Sequence, residues 1–345
     1  MSSSQTRQHV AVVYQPLKTD LKKLRSAVAA QESIYDFAPT KWYETSAEDS
    51  GVAATEQAMK EGAVAVLASG GDGTVRVVAS VLRHTGVPLA IVPQGTGNLL
   101  ARNIGAPLKN LPELVAAAFA GQRRTIDLGS ARIIDEKARS QEAVFLVLAG
   151  IGLDAQMIAS TNDDLKKKLG WLAYVDAGVR TMFKIKPLRV LFACDDEKSR
   201  VRRFYGLMVG NCGTLQGGIQ LMPDARIDDQ LLDVVALRPV SKLAFFSWLS
   251  IFWRVLWDNG VLRKLRGKKK KSTRPKKAGS VVHKQVAKLR FYLRSPESLQ
   301  LDGDDFGLVR RVETQVDPGA IVLCTLPHWK PEIPPFSKAP NEPAG

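Results

Sequence analysis

The chain has 345 residues, 45% of them hydrophobic and 24% charged, with a formal net charge of +15. This is the composition of a soluble globular protein, long enough for one large domain or two ordinary ones with their own cores. No run of about 18 uncharged apolar residues occurs, so no membrane-spanning helix is expected, and the N-terminal MSSSQTRQHVAVVY lacks the apolar centre of a signal peptide. The expected location is cytoplasmic. Cys194, Cys212 and Cys324 stand far apart without metal-ligand spacing and read as free thiols.

The first part of the chain alternates short apolar runs with helical ones. Strands are expected at His9–Tyr14, Lys41–Thr45, Ala63–Ala68 and Pro88–Val92. Helices are expected near Leu21–Gln31, Ala47–Glu61, Val75–Thr85, Leu99–Asn103 and Pro112–Ala120. That alternation predicts a parallel α/β layer structure. After Asp127 the texture changes. Strand-like runs follow at Ser130–Ile134, Ala143–Leu148, Leu188–Ala193, Arg202–Gly210, Leu232–Leu237 and Leu289–Leu293, interrupted by helical stretches at Leu165–Phe183 and Ser241–Leu265. A second, mainly antiparallel domain is predicted. The expected division is an α/β domain over 8–127, a β-sandwich domain with helical insertions over 128–328, and a disordered Pro-rich tail over 329–345.

Two glycine loops stand out. The first, Gly70-Gly71-Asp72-Gly73-Thr74, follows a buried strand and opens a helix. Glycine permits positive φ and close backbone approach, and a helix N-terminus offers unpaired N–H groups to an anion. Asp72 would repel a bare phosphate, but it fits a phosphate carrying Mg²⁺, which takes carboxylate and phosphate oxygens together. The second loop, Gln94-Gly95-Thr96-Gly97-Asn98, repeats the layout after the next strand. Two such loops on one sheet can face a single cleft, with the Thr74 and Thr96 hydroxyls as donors. Neither loop has the spacing of the common P-loop or dinucleotide fingerprints.

These residues carry a resemblance. GGDGT followed by P-x-GTxN is similar to the diacylglycerol kinase catalytic-domain family, which includes bacterial lipid kinases and sphingosine and ceramide kinases, with a remoter likeness to NAD kinases. The pattern continues through TIDLG at 125–129, VLAGIGLDAQMI at 147–158, GGIQLMPDARIDDQLLDVVAL at 217–237 and LQLDGDDFG at 299–307. The resemblance implies an N-terminal α/β nucleotide-binding domain and a β-sandwich domain with the active site between them. It implies transfer of the γ-phosphoryl group of ATP to a lipid hydroxyl, with Mg²⁺.

Residue by residue, it implies nucleotide contacts at Gly70, Gly71, Asp72, Gly73, Thr74, Val75 and Arg76, at Gly95, Thr96 and Asn98, and at Thr45. It makes Asp304 the base. Asp302 and Asp304, one residue apart in a Gly-containing turn, can both be presented toward a cleft, and Asp302 is expected to support the base. The resemblance implies Mg²⁺ at Asp72 and a second, structural Mg²⁺ held by Asp229 and the carbonyls of Arg226 and Leu231. Three positions depart from the pattern. The first strand runs into Gln15-Pro16-Leu17-Lys18 instead of Asn-Pro-x-x-Gly, Val77 replaces an acid, and Gln230 replaces a glycine after Asp229.

The basic character is local: Arg263–Lys277 holds ten Lys or Arg and no acid, and the charge without it is +5. It follows SKLAFFSWLSIFWRVLWDNG at 241–260, with Trp248, Trp253 and Trp257. A helix packed in the fold and a helix lying on an anionic membrane, with lysines toward lipid, both suit that stretch. The expected partners are a nucleotide, a lipid substrate and an anionic membrane surface touched peripherally, with no specific nucleic acid; a homodimer is left open. The rival readings are an NAD kinase-like enzyme and a non-catalytic protein that binds anionic membranes through the basic run.

Overall fold

The computed structural model describes residues 7–152, 187–215, 219–238 and 281–329, with 331 and 336. The helices expected at Leu165–Phe183 and Ser241–Leu265, and the tryptophan-rich and basic stretch 241–277, lie outside the described residues.

The first half is a parallel sheet of β1 (Val10–Tyr14), β2 (Lys41–Glu44), β3 (Ala65–Gly70) and β4 (Leu89–Pro93) in the order β2-β1-β3-β4. Every residue of β1, β3 and β4 is buried. This explains their unbroken apolar character, since a parallel strand is covered on both faces. Five helices alternate with or follow these strands: α1 (Leu21–Tyr35), α2 (Val52–Lys60), α3 (Asp72–Leu82), α4 (Leu99–Asn103) and α5 (Leu111–Ala120). α1 is capped by Asp20, whose carboxylate accepts the Lys23 N–H at 3.1 Å. α3 turns Val75, Val78, Ala79 and Leu82 into the core. Leu67 and Leu89 are fully buried, and trimming either to alanine should cost about 2–5 kcal/mol.

The second half is antiparallel. Its strands are β5 (Gln122–Asp135), β6 (Ser140–Phe145), β7 (Leu148–Gly152), β8 (Leu188–Cys194), β9 (Arg200–Phe204), β10 (Gly206–Gly210), the short pair β11 (Thr214–Leu215) and β12 (Ile219–Gln220), β13 (Leu232–Leu237), β14 (Val281–Val286), β15 (Lys288–Leu301) and β16 (Asp304–Thr325). The path β14-β13-β10-β7-β15-β16 continues into β4, so both halves share one sheet. The side branches are β5 with β6 on β16, and β8 with β9 on β15. A second core fills this half, with Phe145, Phe204, Ile151 and Leu289 among its fully enclosed residues.

The halves are joined by a two-strand ribbon. β5 runs through the expected boundary at 127/128, and β16 follows it back, pairing Ile321–Thr325 with Gln122–Ile126 and Leu323 with Leu89 of β4. Where the ribbon changes register, between Asp317 and Ile321, the Asp127 carboxylate takes the Gly319 N–H at 2.8 Å and the Gln230 N–H at 2.7 Å. The packed chain extends into the stretch expected to be a tail. Trp329 is 8% exposed and donates to Glu113 at 2.8 Å, and Phe336 lies under the Arg124 guanidinium.

Candidate active site

The carboxyl ends of β3 and β4 carry the two glycine loops side by side. Gln94 N–H donates to the Gly70 carbonyl at 2.7 Å, and Leu99 N–H donates to the Asp72 carboxylate at 2.6 Å. None of Gly70, Gly71, Gly73, Gly95 and Gly97 has a positive φ, so of the two freedoms glycine offers the left-handed one is not used here. Close approach is what requires Gly70, Gly73, Gly95 and Gly97. A Cβ on Gly95 would lie 2.8 Å from the Gly71 Cα, and one on Gly97 would lie 2.6 Å from Asp72 Oδ2. One on Gly70 would meet Thr74 at 2.5 Å. The glycines therefore let two loops touch backbone to backbone. The cavity they leave beneath them is only about 10 Å³, room for a single water, so a larger ligand must lie over the loops.

Asp72 is largely withdrawn into this junction. Burial raises its pKa, N–H donors at Leu99 and Asn98 oppose that, and the nearby Asp304 raises it further. Asn98 adopts a left-handed conformation, φ 48°, and closes its own loop: its Oδ1 accepts the Gly95 N–H at 2.9 Å and its Nδ2 donates to the Gly95 carbonyl at 2.7 Å. Val75 is buried and its N–H donates to Gly71, so of the loop it serves the core. Thr96 is exposed at the loop tip. Thr45 lies on the same edge of the sheet, one strand beyond β1, with its N–H on the Tyr14 carbonyl.

The turn between β15 and β16 brings the late acids to this place. Asp304 is 47% exposed and stands against the first turn of α3, where a Cβ on Gly73 would come within 2.6 Å of its Oδ2. That oxygen accepts from Arg76 Nη2 at 2.7 Å. Arg76 is 13% exposed, its guanidinium lies 5.0 Å from the Phe306 ring, and its Nε has no partner. Asp302 goes elsewhere. It is 4% exposed and accepts the N–H groups of Leu146, Val147 and Leu148 at 2.7, 2.9 and 2.9 Å. Burial pushes it up to about 6 against the pull of those three donors. The expectation that both acids face the cleft is thus corrected: Asp302 fixes the start of β7, and only Asp304 reaches outward. The cause is the turn itself, in which Asp302 (φ 51°) and Gly303 (φ 93°) are both left-handed and send the two side chains apart.

One basic residue at the site escaped the sequence reading. Lys18 is exposed, and its ammonium sits 3.6 Å from the position a Cβ on Gly71 would take. Its loop is tied to the end of β3 through Gln15 N–H to Ser69 O at 2.9 Å and Thr19 Oγ1 to Ser69 Oγ at 3.1 Å. No ion-pair partner of Lys18 occurs among the described residues. Only its place after β1 could have flagged it. Beyond Phe306 lies a hollow of about 410 Å³ lined by Glu136, Lys137, Arg139, Ser140 and Gln141 on one side and Phe306–Leu308 on the other.

The second expected metal position is a separate acidic loop. Asp229 is raised mainly by burial, with Asp127 and Asp228 adding to it, and its Oδ1 accepts the Leu231 N–H at 3.1 Å. Gln230 takes the turn at φ 63° despite its Cβ. The bend survives the loss of glycine because Asp127 holds the Gln230 N–H. Among the described residues, no three Asp, Glu, His or Cys side chains are grouped as metal ligands. A cation here would depend on backbone carbonyls and water.

Residues 10–131 match the model of the diacylglycerol kinase catalytic domain, and residues 147–254 match the C-terminal NAD kinase beta sandwich-like domain of YegS. A Pseudomonas aeruginosa protein named "Probable lipid kinase YegS-like" is 36% identical over 219 residues, covering 63% of this chain and 68% of the relative. The chain belongs to the diacylglycerol kinase catalytic-domain family. By family it is a lipid kinase. A Mycobacterium tuberculosis protein named "Diacylglycerol kinase" is 31% identical over 54% of this chain and 58% of its own length. A crystal structure of a diacylglycerol kinase from Bacillus anthracis aligns with TM-score 0.64 at 17% identity, over 95% of this chain and all of the other. A yeast NADH kinase complexed with NADH aligns with TM-score 0.51 at 9% identity, over 93% and 83%. These two structures show a common fold, an α/β domain followed by a β-sandwich-like domain.

Proposed function

We propose that this lipid kinase transfers the γ-phosphoryl group of ATP to a lipid hydroxyl, with Asp304 as the base. The observation that carries the reading is the meeting of Asp304 with the first turn of α3. An acid from the far end of the chain stands against the glycine loop, bonded to Arg76 at 2.7 Å. A nucleotide over Gly70–Arg76, Gly95, Thr96 and Asn98, with Thr45 at the outer edge, would present its phosphates to that acid. Thr74 and Thr96 hydroxyls are the side-chain donors, and the Gly71 and Gly73 backbone leaves room for close approach.

The step balances simply. The acceptor hydroxyl gives its proton to the Asp304 carboxylate as its oxygen attacks the γ-phosphorus. The bond from that phosphorus to the bridging oxygen breaks, and ADP leaves with the electron pair. Lys18 and Arg76 supply positive charge on two sides of the first loop, where phosphoryl transfer needs it most. Asp302 supports the arrangement from below, by fixing the β7 start and the turn that presents Asp304.

Two Mg²⁺ ions fit the donor chemistry. Asp72 is turned into the loop junction and accepts the Leu99 N–H at 2.6 Å, so it would hold a Mg²⁺ over the loops through water, and such an ion would neutralise phosphate charge during transfer. Asp229, with the carbonyls of Arg226 and Leu231, suits a structural ion, since a cation there would offset the crowding of Asp127, Asp228 and Asp229.

The experiment is transfer of labelled γ-phosphate from ATP to diacylglycerol, a sphingoid base, ceramide and phosphatidylglycerol in mixed micelles, with NAD in parallel because the fold is shared with an NADH kinase. One labelled lipid and unlabelled NAD are expected. Labelled NAD, or no transfer to any lipid with Mg²⁺ present, would sink the proposal.

A further inference from the structure

The outer face of β9, β8 and β15 carries an exposed apolar row. Leu191 is paired directly with Val201 on one side and with Tyr292 on the other, so the three side chains share one face. They are 38%, 43% and 36% exposed, three of the seven large hydrophobic residues left in solvent among those described. Two residues along, Arg189 lies directly opposite Arg203, and both are exposed. Neither makes an ion pair among the described residues. Arg311, paired with Tyr292, closes the row with its guanidinium 4.7 Å from the Tyr292 ring.

Opposed like charges destabilise a strand pair, so this arrangement needs a reason. Protection of an edge strand explains arginines on β9, which pairs only with β8. It does not explain Arg189, on a strand flanked on both sides, nor the apolar row beside it. We propose that this face docks on an anionic bilayer surface. Val201, Leu191 and Tyr292 would enter the interfacial layer, and Arg189 and Arg203 would meet lipid phosphates. Charge complementarity favours this occupant. A second copy pairing through β9 would oppose arginine to arginine, and a nucleic acid backbone would have no use for the aliphatic row. The proposal extends the lipid-kinase reading, since a kinase whose acceptor lies in a bilayer must dock on it. It nevertheless needs no turnover to be tested.

The test is sedimentation of the full chain with vesicles of phosphatidylcholine containing 30% phosphatidylglycerol, and with pure phosphatidylcholine, at roughly 0.1 M salt. It is run both in the natural sequence and with Lys268–Lys271 replaced by glutamine, which separates this face from the basic run. Binding to anionic vesicles is expected to weaken about fivefold for each arginine removed, so about 25-fold in R189Q/R203Q. Leu191→Asp should weaken it as strongly. The native cysteines are buried, so a nitroxide attached at Val201→Cys should become less accessible to a water-soluble relaxant when vesicles are added.

Unchanged vesicle binding in both variants, in either background, would overturn the proposal. So would a DNA duplex bound as tightly as vesicles with the same loss in the variants, or a dimer in sedimentation that R189Q/R203Q dissolves. A protein that binds vesicles in this way but phosphorylates no lipid would leave the docking face standing and remove the kinase proposal alone.

Discussion

Arg76 and Asp304 are 228 residues apart in the chain and 2.7 Å apart in the fold. One stands one turn into the helix that the first glycine loop opens, and the other begins the strand that returns from the second half. Their pair ties the helix of the first glycine loop directly to the acid carried by the second half. Its position follows from β16, which leaves the Asp304 turn and runs home to β4.

Arg76→Met removes that tie. Asp304 is nearly half exposed, so the stability lost should be only about 1 kcal/mol. The expected effect is on turnover: kcat should fall roughly 10- to 100-fold with the melting point little changed, because the base is no longer held. Arg76→Lys should recover part of it. Steady-state kinetics beside a thermal melt decides the matter, and unchanged kcat in Arg76→Met would mean the pair is only structural.

Two glycine substitutions should behave differently. Gly95→Ala pushes a Cβ to 2.8 Å from the Gly71 Cα, a backbone atom that cannot step aside. Loss of about 1–3 kcal/mol is expected, with nucleotide affinity lowered as the loops separate. Gly71→Ala meets the Gly95 Cα and Lys18 Nζ at 3.6 Å, ordinary contacts. It should keep the fold, as urea melts of both variants would report.

Lys18→Met should raise KM for ATP about tenfold, as expected for one lost charge-assisted contact, while KM for the lipid stays put. An equal rise in both constants would place Lys18 outside the nucleotide site.

Asp302 predicts a pH dependence of stability. Its folded pKa is pushed up to about 6 by burial, above the ordinary carboxylate value. The native state therefore holds the proton more tightly than the unfolded chain. The stability this contributes is complete below about pH 4 and is lost as pH rises through 6, up to about 3 kcal/mol. The stability difference between the natural protein and Asp302→Asn should accordingly be more favourable to the natural protein at pH 4.5 than at pH 7. Denaturant melts at the two pH values measure it, and a pH-independent difference would contradict the assignment.

Much of the fold was legible in the sequence because parallel strands buried on both faces read as unbroken apolar runs, as at Ala65–Gly70 and Leu89–Pro93. β13 and α4 fall where periodicity puts them. β16 did not stand out, because Pro318-Gly319 and its many charges hide a 22-residue strand with two register shifts against β5 and two against β15. Arg202–Gly210 reads as one strand yet serves two, parting at Tyr205, whose N–H leaves for the Leu237 carbonyl. The glycine loops and Asp304 were visible as motifs. The inward course of Asp302 was not, since two left-handed residues in a row cannot be inferred from the letters Asp-Gly-Asp. The position of Lys18 depends on how its loop folds against Ser69, which no local pattern encodes.

Single-turnover transfer from ATP to the preferred lipid by Asp304→Asn, with ATP affinity determined on the same protein, tests whether Asp304 is the base. ATP should bind within a few-fold of the natural affinity while the transfer step slows about 10²- to 10⁴-fold, the range for a lost general base. Transfer at the natural rate in Asp304→Asn would contradict it, and the base would have to be sought elsewhere.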